Sequence, residues 1–96
     1  MIVSMFQLLI ELPESYSIKD KRRIVKSIKD RMRVRFHLSC AEIDLQESLR
    51  FAQLGAALVS NSVEFGETVL QKALRSIEHD FSLRVHDSQI TSERYD

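Results

Sequence analysis

Basic residues are concentrated in one stretch of the chain, at spacings that suit contact with a polyanion. From Ser17 to Phe36 there are nine of the fourteen Lys and Arg residues but only two of the fourteen Asp and Glu residues, a local charge of +7 (nine minus two). The remainder carries −7 (five minus twelve), so a formal net charge of zero hides a strong asymmetry. At helical spacing, six of these cations share one face: Lys19, Arg22, Arg23, Lys26, Lys29 and Arg33.

A stripe of this kind can lie along a phosphate backbone, where it releases counterions and directs guanidinium groups at phosphate oxygens. Solvated helix faces usually mix charges so that residues four apart attract each other. Here three pairs at that spacing are like-charged, Arg22 and Lys26 among them, and each destabilises a helix by about 0.2–0.5 kcal/mol. The pattern favours a polyanionic partner. A solvated face, or pairing with acids from elsewhere in the fold, stays open as an alternative.

Other residues offer little chemistry. Glu42 and Asp44 are predicted to point the same way on a strand, as an acid–base pair would, although acids on an edge strand more often prevent edge-to-edge association. The lone Cys40 is expected to be a small buried hydrophobe. No metal-ligand spacing, nucleophile elbow or phosphate-binding loop occurs, including around the three histidines, His37, His79 and His86. We therefore expect a non-enzymatic protein with no cofactor, metal or small-molecule substrate.

Apolar periodicity predicts six elements in the order βαββαβ. The first helix begins after an N-cap at Ser17 and ends near Arg35. Before the second helix, Ser60–Ser62 offers capping oxygens, and Asn61 has capping-box spacing to Glu64. The predicted strands are Ile2–Leu12, His37–Leu45, Phe51–Ser60 and Leu83–Ile90, and the second helix is Val63–Asp80.

Connection rules favour a ferredoxin-like α+β sandwich for this order, with a four-stranded antiparallel sheet (4-1-3-2) and both helices on one face. The apolar first and third strands fit the two central positions. We expect one domain over residues 1–90 and a frayed polar tail over residues 91–96.

The sheet face that the helices leave open is a second candidate surface, for a homodimer or a docked protein. Strand one contributes Val3, Met5 and Leu9, and strand three adds Ala57 and Val59 if the register aligns them. Aromatic residues are absent from the centre of this face, so base stacking of the kind seen in RRM domains is not expected.

Three sequence runs resemble a known family: S-x-K-D-K-R-R-x-x-K-S-x-K-D-R at Ser17–Arg31, A-E-x-D at Ala41–Asp44 and V-S-N at Val59–Asn61. They are similar to the YlxP-like family of small bacterial proteins, domain-of-unknown-function family 503. The resemblance implies a ferredoxin-like fold and a cytosolic protein whose gene neighbourhood concerns translation initiation and ribosome maturation. It implies no activity. The chain departs from the expected pattern at Leu49, where the resemblance predicts a tryptophan.

With this neighbourhood, ribosomal RNA or a ribosomal subunit becomes the expected partner of the basic stripe. The opening apolar segment lacks a basic leader region and is too short to span a bilayer. We therefore expect a cytoplasmic protein without a membrane partner.

Overall fold

The computed structural model describes residues 1–96 and contains the six elements in the predicted order. They are β1 (Ile2–Glu11), α1 (Ile18–Phe36), β2 (Ser39–Asp44), β3 (Phe51–Ser60), α2 (Val63–Asp80) and β4 (Arg84–Arg94). The strands form one antiparallel sheet in the order β2-β3-β1-β4, which is the predicted order in reverse. The prediction of a ferredoxin-like sandwich is therefore confirmed. Neither helix has the length and apolar character needed to cross a membrane.

Both helices begin at serine caps. Ser17 Oγ accepts a hydrogen bond of 3.0 Å from the Asp20 amide, as predicted. At α2 the cap is Ser62, one of the three residues expected to offer a capping oxygen, and its Oγ accepts a hydrogen bond of 3.1 Å from the Phe65 amide. The cap is therefore not Asn61, the residue with capping-box spacing. Ser62 directly precedes the first helical residue with an extended backbone, and from there its hydroxyl reaches the third amide of the helix.

A single core lies between the helices and one face of the sheet. The helix-facing side of the central strands is fully or almost fully buried, as are the inner faces of α1 and α2. This packing leaves the outer face of α1 and the opposite face of the sheet without a covering layer. The largest side chains buried in this core include Phe6, Leu8, Ile10, Leu54, Ile28, Met32, Leu70 and Ile77.

A close approach at Gly66 joins α2 to β1. A Cβ atom placed on Gly66 would lie 2.3 Å from Ser4 Oγ, far inside van der Waals contact. Ser4 is fully buried. Its hydroxyl lies 2.8 Å from that of Ser92, which donates a hydrogen bond of 2.8 Å to Glu67.

These contacts hold the last strand in the sheet. β4 runs to Arg94, past the predicted end at Ile90, and Thr91 to Arg94 pair with β1. The expectation of a frayed tail from residue 91 is therefore wrong for residues 91–94. Ser92 is polar, but it faces the buried Ser4, and residue type alone concealed that inward position.

Candidate nucleic-acid interface

The six predicted basic residues all lie on the exposed side of α1. Lys19 and Arg33, at the two ends, are separated by about 21 Å along the axis, because a helix rises about 1.5 Å per residue. On the inner side of the same helix, Val25, Ile28 and Met32 are buried in the core. The apolar packing thus fixes the orientation of α1 and presents the cations as one continuous surface, which we call the basic stripe.

Most of the basic stripe has no acidic partner. Asp30 is the one carboxylate within 4.0 Å of any of the six cations, at 2.9 Å from Lys26 Nζ and 3.3 Å from Arg33 Nη2. Hydrogen bonding from Lys26, and then from Arg33, lowers the pKa of Asp30, so this residue is ionised at neutral pH. The four cations left unpaired are Lys19, Arg22, Arg23 and Lys29.

Acids from outside α1 pair with basic residues that do not belong to the stripe. Asp80 at the end of α2 bridges to Arg31 at 2.5 Å and Arg35 at 3.5 Å. Glu11 pairs with Arg50 at 2.6 Å. None of the acids outside α1 therefore pairs with the basic stripe.

Lys21 is a buried cation whose burial was not predicted from residue type. It is only 2% exposed. Its ammonium donates to the carbonyls of Leu45, Ser48 and Phe51, and lies 2.9 Å from Glu42 Oε2. The three carbonyls accept the three protons of the ammonium. Glu42 therefore contributes compensating negative charge and not a further hydrogen bond. Lys21 lies three residues after Ile18 and four before Val25, so helical spacing could have placed it on the inner face.

Glu42 and Asp44 do not form a pair, which corrects the sequence prediction. A β-bulge shifts the register between them, so Glu42 lies opposite Leu54 while Asp44 lies opposite Gln53. Residues directly opposite share a face of the sheet. Glu42 therefore points to the helix side, where Lys21 is, and Asp44 points to the open side.

The histidines and the cysteine lie apart from one another. His37 is the left-handed cap of α1, His79 lies 3.2 Å from Asp80, and His86 Nε2 lies 2.6 Å from Glu11 Oε1. No group of three or more His, Cys, Asp or Glu side chains is arranged to hold a metal ion. Burial raises the pKa of the half-buried Cys40 thiol to about 11, which leaves it protonated at neutral pH.

The register aligns the predicted residues of the open sheet face. Val3 lies opposite Val59, and Met5 lies opposite Ala57, whereas Leu9 lies opposite Gln53. Val59 is 64% exposed, and the other four are half-buried.

Ile43 extends this apolar surface towards β2, because its side chain lies over Gly55. A Cβ atom on Gly55 would be 3.2 Å from Ile43 Cγ2. Alternation along β2 agrees, because Ala41, two residues earlier, pairs with Gly55 on the same face.

The fold and the exposed basic helix define a small ferredoxin-like α+β protein. A family model described as a protein of unknown function (DUF503) matches residues 3–90. The chain belongs to this family, which is the one that its sequence resembles. A search of curated proteins finds no match.

Solved structures share the fold at low identity. The de novo designed protein Foldit4 is 16% identical with a TM-score of 0.59, covering 98% of this chain and 100% of that one. At3g17210 from Arabidopsis thaliana is 8% identical with a TM-score of 0.53, covering 98% of this chain and 95% of that one. The de novo designed protein LFR1 1, with a ferredoxin fold, is 10% identical with a TM-score of 0.52, covering 97% of this chain and 84% of that one. At these identities the likeness shows the fold alone.

Proposed function

We propose that this protein is a non-enzymatic accessory factor of translation or ribosome maturation that binds RNA or a ribosomal particle through the basic stripe of α1. The observation that carries the proposal is the set of four cations with no carboxylate within ion-pair distance: Lys19, Arg22, Arg23 and Lys29. Like-charged neighbours four residues apart cost stability. A helix that keeps four such cations with no carboxylate within ion-pair distance is suited to an external polyanion.

The expected contact is to phosphates and to the shape of the RNA. Phe51 is the one aromatic residue on the open face of the central strands, and it packs edge-on against His86 with ring centroids 5.7 Å apart. The face therefore offers no platform for successive bases. Contacts from a linear stripe to phosphate oxygens position the RNA and carry little sequence information.

Co-sedimentation with ribosomal subunits on sucrose gradients tests the proposal. The wild-type protein should travel with a ribosomal particle at low salt and be released at high salt. The variant R22E/R23E/K26E should stay at the top of the gradient. K72E/R75E/R84E makes the same charge change at exposed positions outside α1 and should still bind. Equal sedimentation of the α1 variant and the wild type would exclude the stripe as the binding surface.

Self-association through the open sheet face is a second candidate function. The register that places Val3 beside Val59 and Met5 beside Ala57 supports it. Every open-face residue of β1 from Val3 to Leu9, and of β3 from Gln53 to Val59, is uncharged. A second copy could therefore stack on this face without charge repulsion at the centre.

Light scattering at several concentrations tests for this dimer. The mass should approach twice that of the chain as concentration rises, and V3K should shift the protein towards the monomer. V63K makes the same change at the start of α2, outside the sheet, and should leave the dimer intact. A wild-type protein that remains monomeric at all concentrations would exclude this function and leave RNA binding unaffected.

A further inference from the structure

A cleft lies beside the basic stripe, and the proposed phosphate contacts do not use it. It forms where the β1–α1 loop, the middle of α1 and the segment after α2 meet, and its volume is about 380 Å³. Small-molecule sites usually have volumes of about 300–1,000 Å³ and largely apolar walls. The apolar side chains that line this cleft are Leu12, Ile24, Phe81 and Leu83.

Two charged side chains around the cleft have no ion-pair partner. Arg23 and Glu14 are both exposed, and neither forms an ion pair. Asp80 also lines the cleft, but its oxygens already bind Arg31, Ser76 and His79. A guanidinium group and a carboxylate therefore remain available to a ligand.

The aromatic side chain of the cleft wall, Phe81, contacts a cation that does not line the cleft. The Arg31 guanidinium carbon lies 5.3 Å from the centre of the Phe81 ring. Arg31 is itself bound to Asp80, so the ring, the cation and the carboxylate form one connected unit. An aromatic ring beside aliphatic side chains suits a flat ligand with apolar faces.

The ligand that matches these groups carries an anion, a flat ring and N–H donors on the ring edge, and a nucleotide has all three. Arg23 belongs both to the basic stripe and to the cleft, so an RNA backbone on the stripe passes the opening. A paired base is stacked and has its edge occupied, whereas an unpaired base can turn out of the helix. We infer that the cleft accepts one unpaired nucleotide of the RNA that lies along α1, an inference that rests on the proposed function.

Glu14 gives the inferred site a preference among bases. An ionised carboxylate only accepts hydrogen bonds and can accept two in parallel. The pairing edge of guanine presents two adjacent N–H donors, whereas that of uracil presents one. An unpaired guanine should therefore bind better than an unpaired uracil.

Three RNA hairpins test the inference: one fully paired, one with a single bulged guanosine and one with a single bulged uridine. The guanosine bulge should bind at least about fivefold more tightly than the paired hairpin, as expected for contact of one base with an aromatic wall. E14Q should reduce the guanosine advantage to the uridine level. S27W, at an exposed position on the cleft wall, should fill the cleft. Both bulged hairpins should then bind this variant no more tightly than the fully paired hairpin, which should still bind.

Controls keep the outcomes distinct. Q71W adds the same side chain to the exposed side of α2 and should behave as the wild type, and circular dichroism checks that each variant is folded. If all three hairpins bind equally and R22E/R23E/K26E abolishes that binding, the inferred site is wrong and the proposed function stands. If S27W keeps the guanosine advantage, the inferred site is also wrong. If none of the hairpins or ribosomal particles binds the wild type, both proposals are wrong.

Discussion

The Lys21 ammonium lies 2.9 Å from Glu42 Oε2, at the point where α1 begins and the β2–β3 loop crosses it. The side chain of Lys21 is 3% exposed and that of Glu42 is 20% exposed, so the pair is largely removed from water. Two carbonyls of the loop, of Leu45 and Ser48, and that of Phe51 at the start of β3 complete the coordination of the ammonium. This contact fixes the loop beside the first turn of the basic stripe.

Replacing Lys21 should be strongly destabilising. K21M leaves a buried carboxylate without its cation and three carbonyls without a donor, and we expect the free energy of unfolding to fall by about 3–5 kcal/mol. Urea denaturation measures the change, and K19M at an exposed position serves as the control. The double variant K21M/E42Q should recover part of the loss. A K21M protein with the wild-type midpoint would contradict this account of the buried pair.

Gly66 should not tolerate alanine. In most helices Gly→Ala is stabilising by about 0.5–1 kcal/mol, but here the new Cβ would lie 2.3 Å from Ser4 Oγ and 2.9 Å from Ser4 Cβ. We expect G66A to destabilise the protein by about 1–3 kcal/mol, as overpacking usually does. The double variant S4G/G66A removes the clash and should be more stable than G66A. Thermal denaturation of the wild type, G66A and S4G/G66A shows whether G66A lowers or raises the stability of the protein.

The Asp80 bridge should make stability depend on pH in the acid range. Hydrogen bonds from Ser76, His79 and Arg31, in that order, lower the pKa of Asp80 from its ordinary value of 3.8. A carboxyl group with a depressed pKa contributes stability that is present above its unfolded value and lost as pH falls through its folded value.

The thermal midpoint of D80N should therefore lie below that of the wild type at neutral pH. The gap should close as the pH falls below 3.8. Differential scanning calorimetry across this range provides the measurement. Equal midpoints at neutral pH would show that the bridge between α1 and α2 contributes nothing.

Much of the fold could be predicted because the signals are local. Apolar residues on both faces of β1 and β3 identify them as central strands, and the Ser17 cap with its apolar stripe identifies α1. The position of Lys21 was harder to predict, because its burial depends on carbonyls of the β2–β3 loop and the start of β3, distant in the sequence.

Contacts between distant segments also account for the other differences. The β-bulge that separates Glu42 from Asp44 is defined by pairing with β3, and the end of β4 is defined by pairing of residues 91–94 with β1. The cleft beside Arg23 is assembled from three separate segments, so no single stretch of sequence predicts it.

Asp30 should limit the affinity of the basic stripe for RNA. It binds Lys26 and Arg33, and a phosphate that approaches either cation must compete with the Asp30 carboxylate. We expect D30N to bind RNA more tightly and to steepen the salt dependence, by roughly 1.5 in the slope of log K against log salt, because two more cations become available. E78Q makes the same charge change on exposed α2 and is the control. Weaker binding by D30N would contradict this role.

The most direct test of RNA binding by the basic stripe is the salt dependence of affinity for a ribosomal RNA fragment, measured by fluorescence anisotropy. Four unpaired cations predict a slope of log K against log salt of about −3 to −4. R22Q/R23Q should reduce its magnitude by roughly 1.5, whereas K72Q/R75Q on α2 should leave it unchanged. A slope near zero, or the same slope in R22Q/R23Q as in the wild type, would contradict the assignment of α1 as the RNA-binding surface.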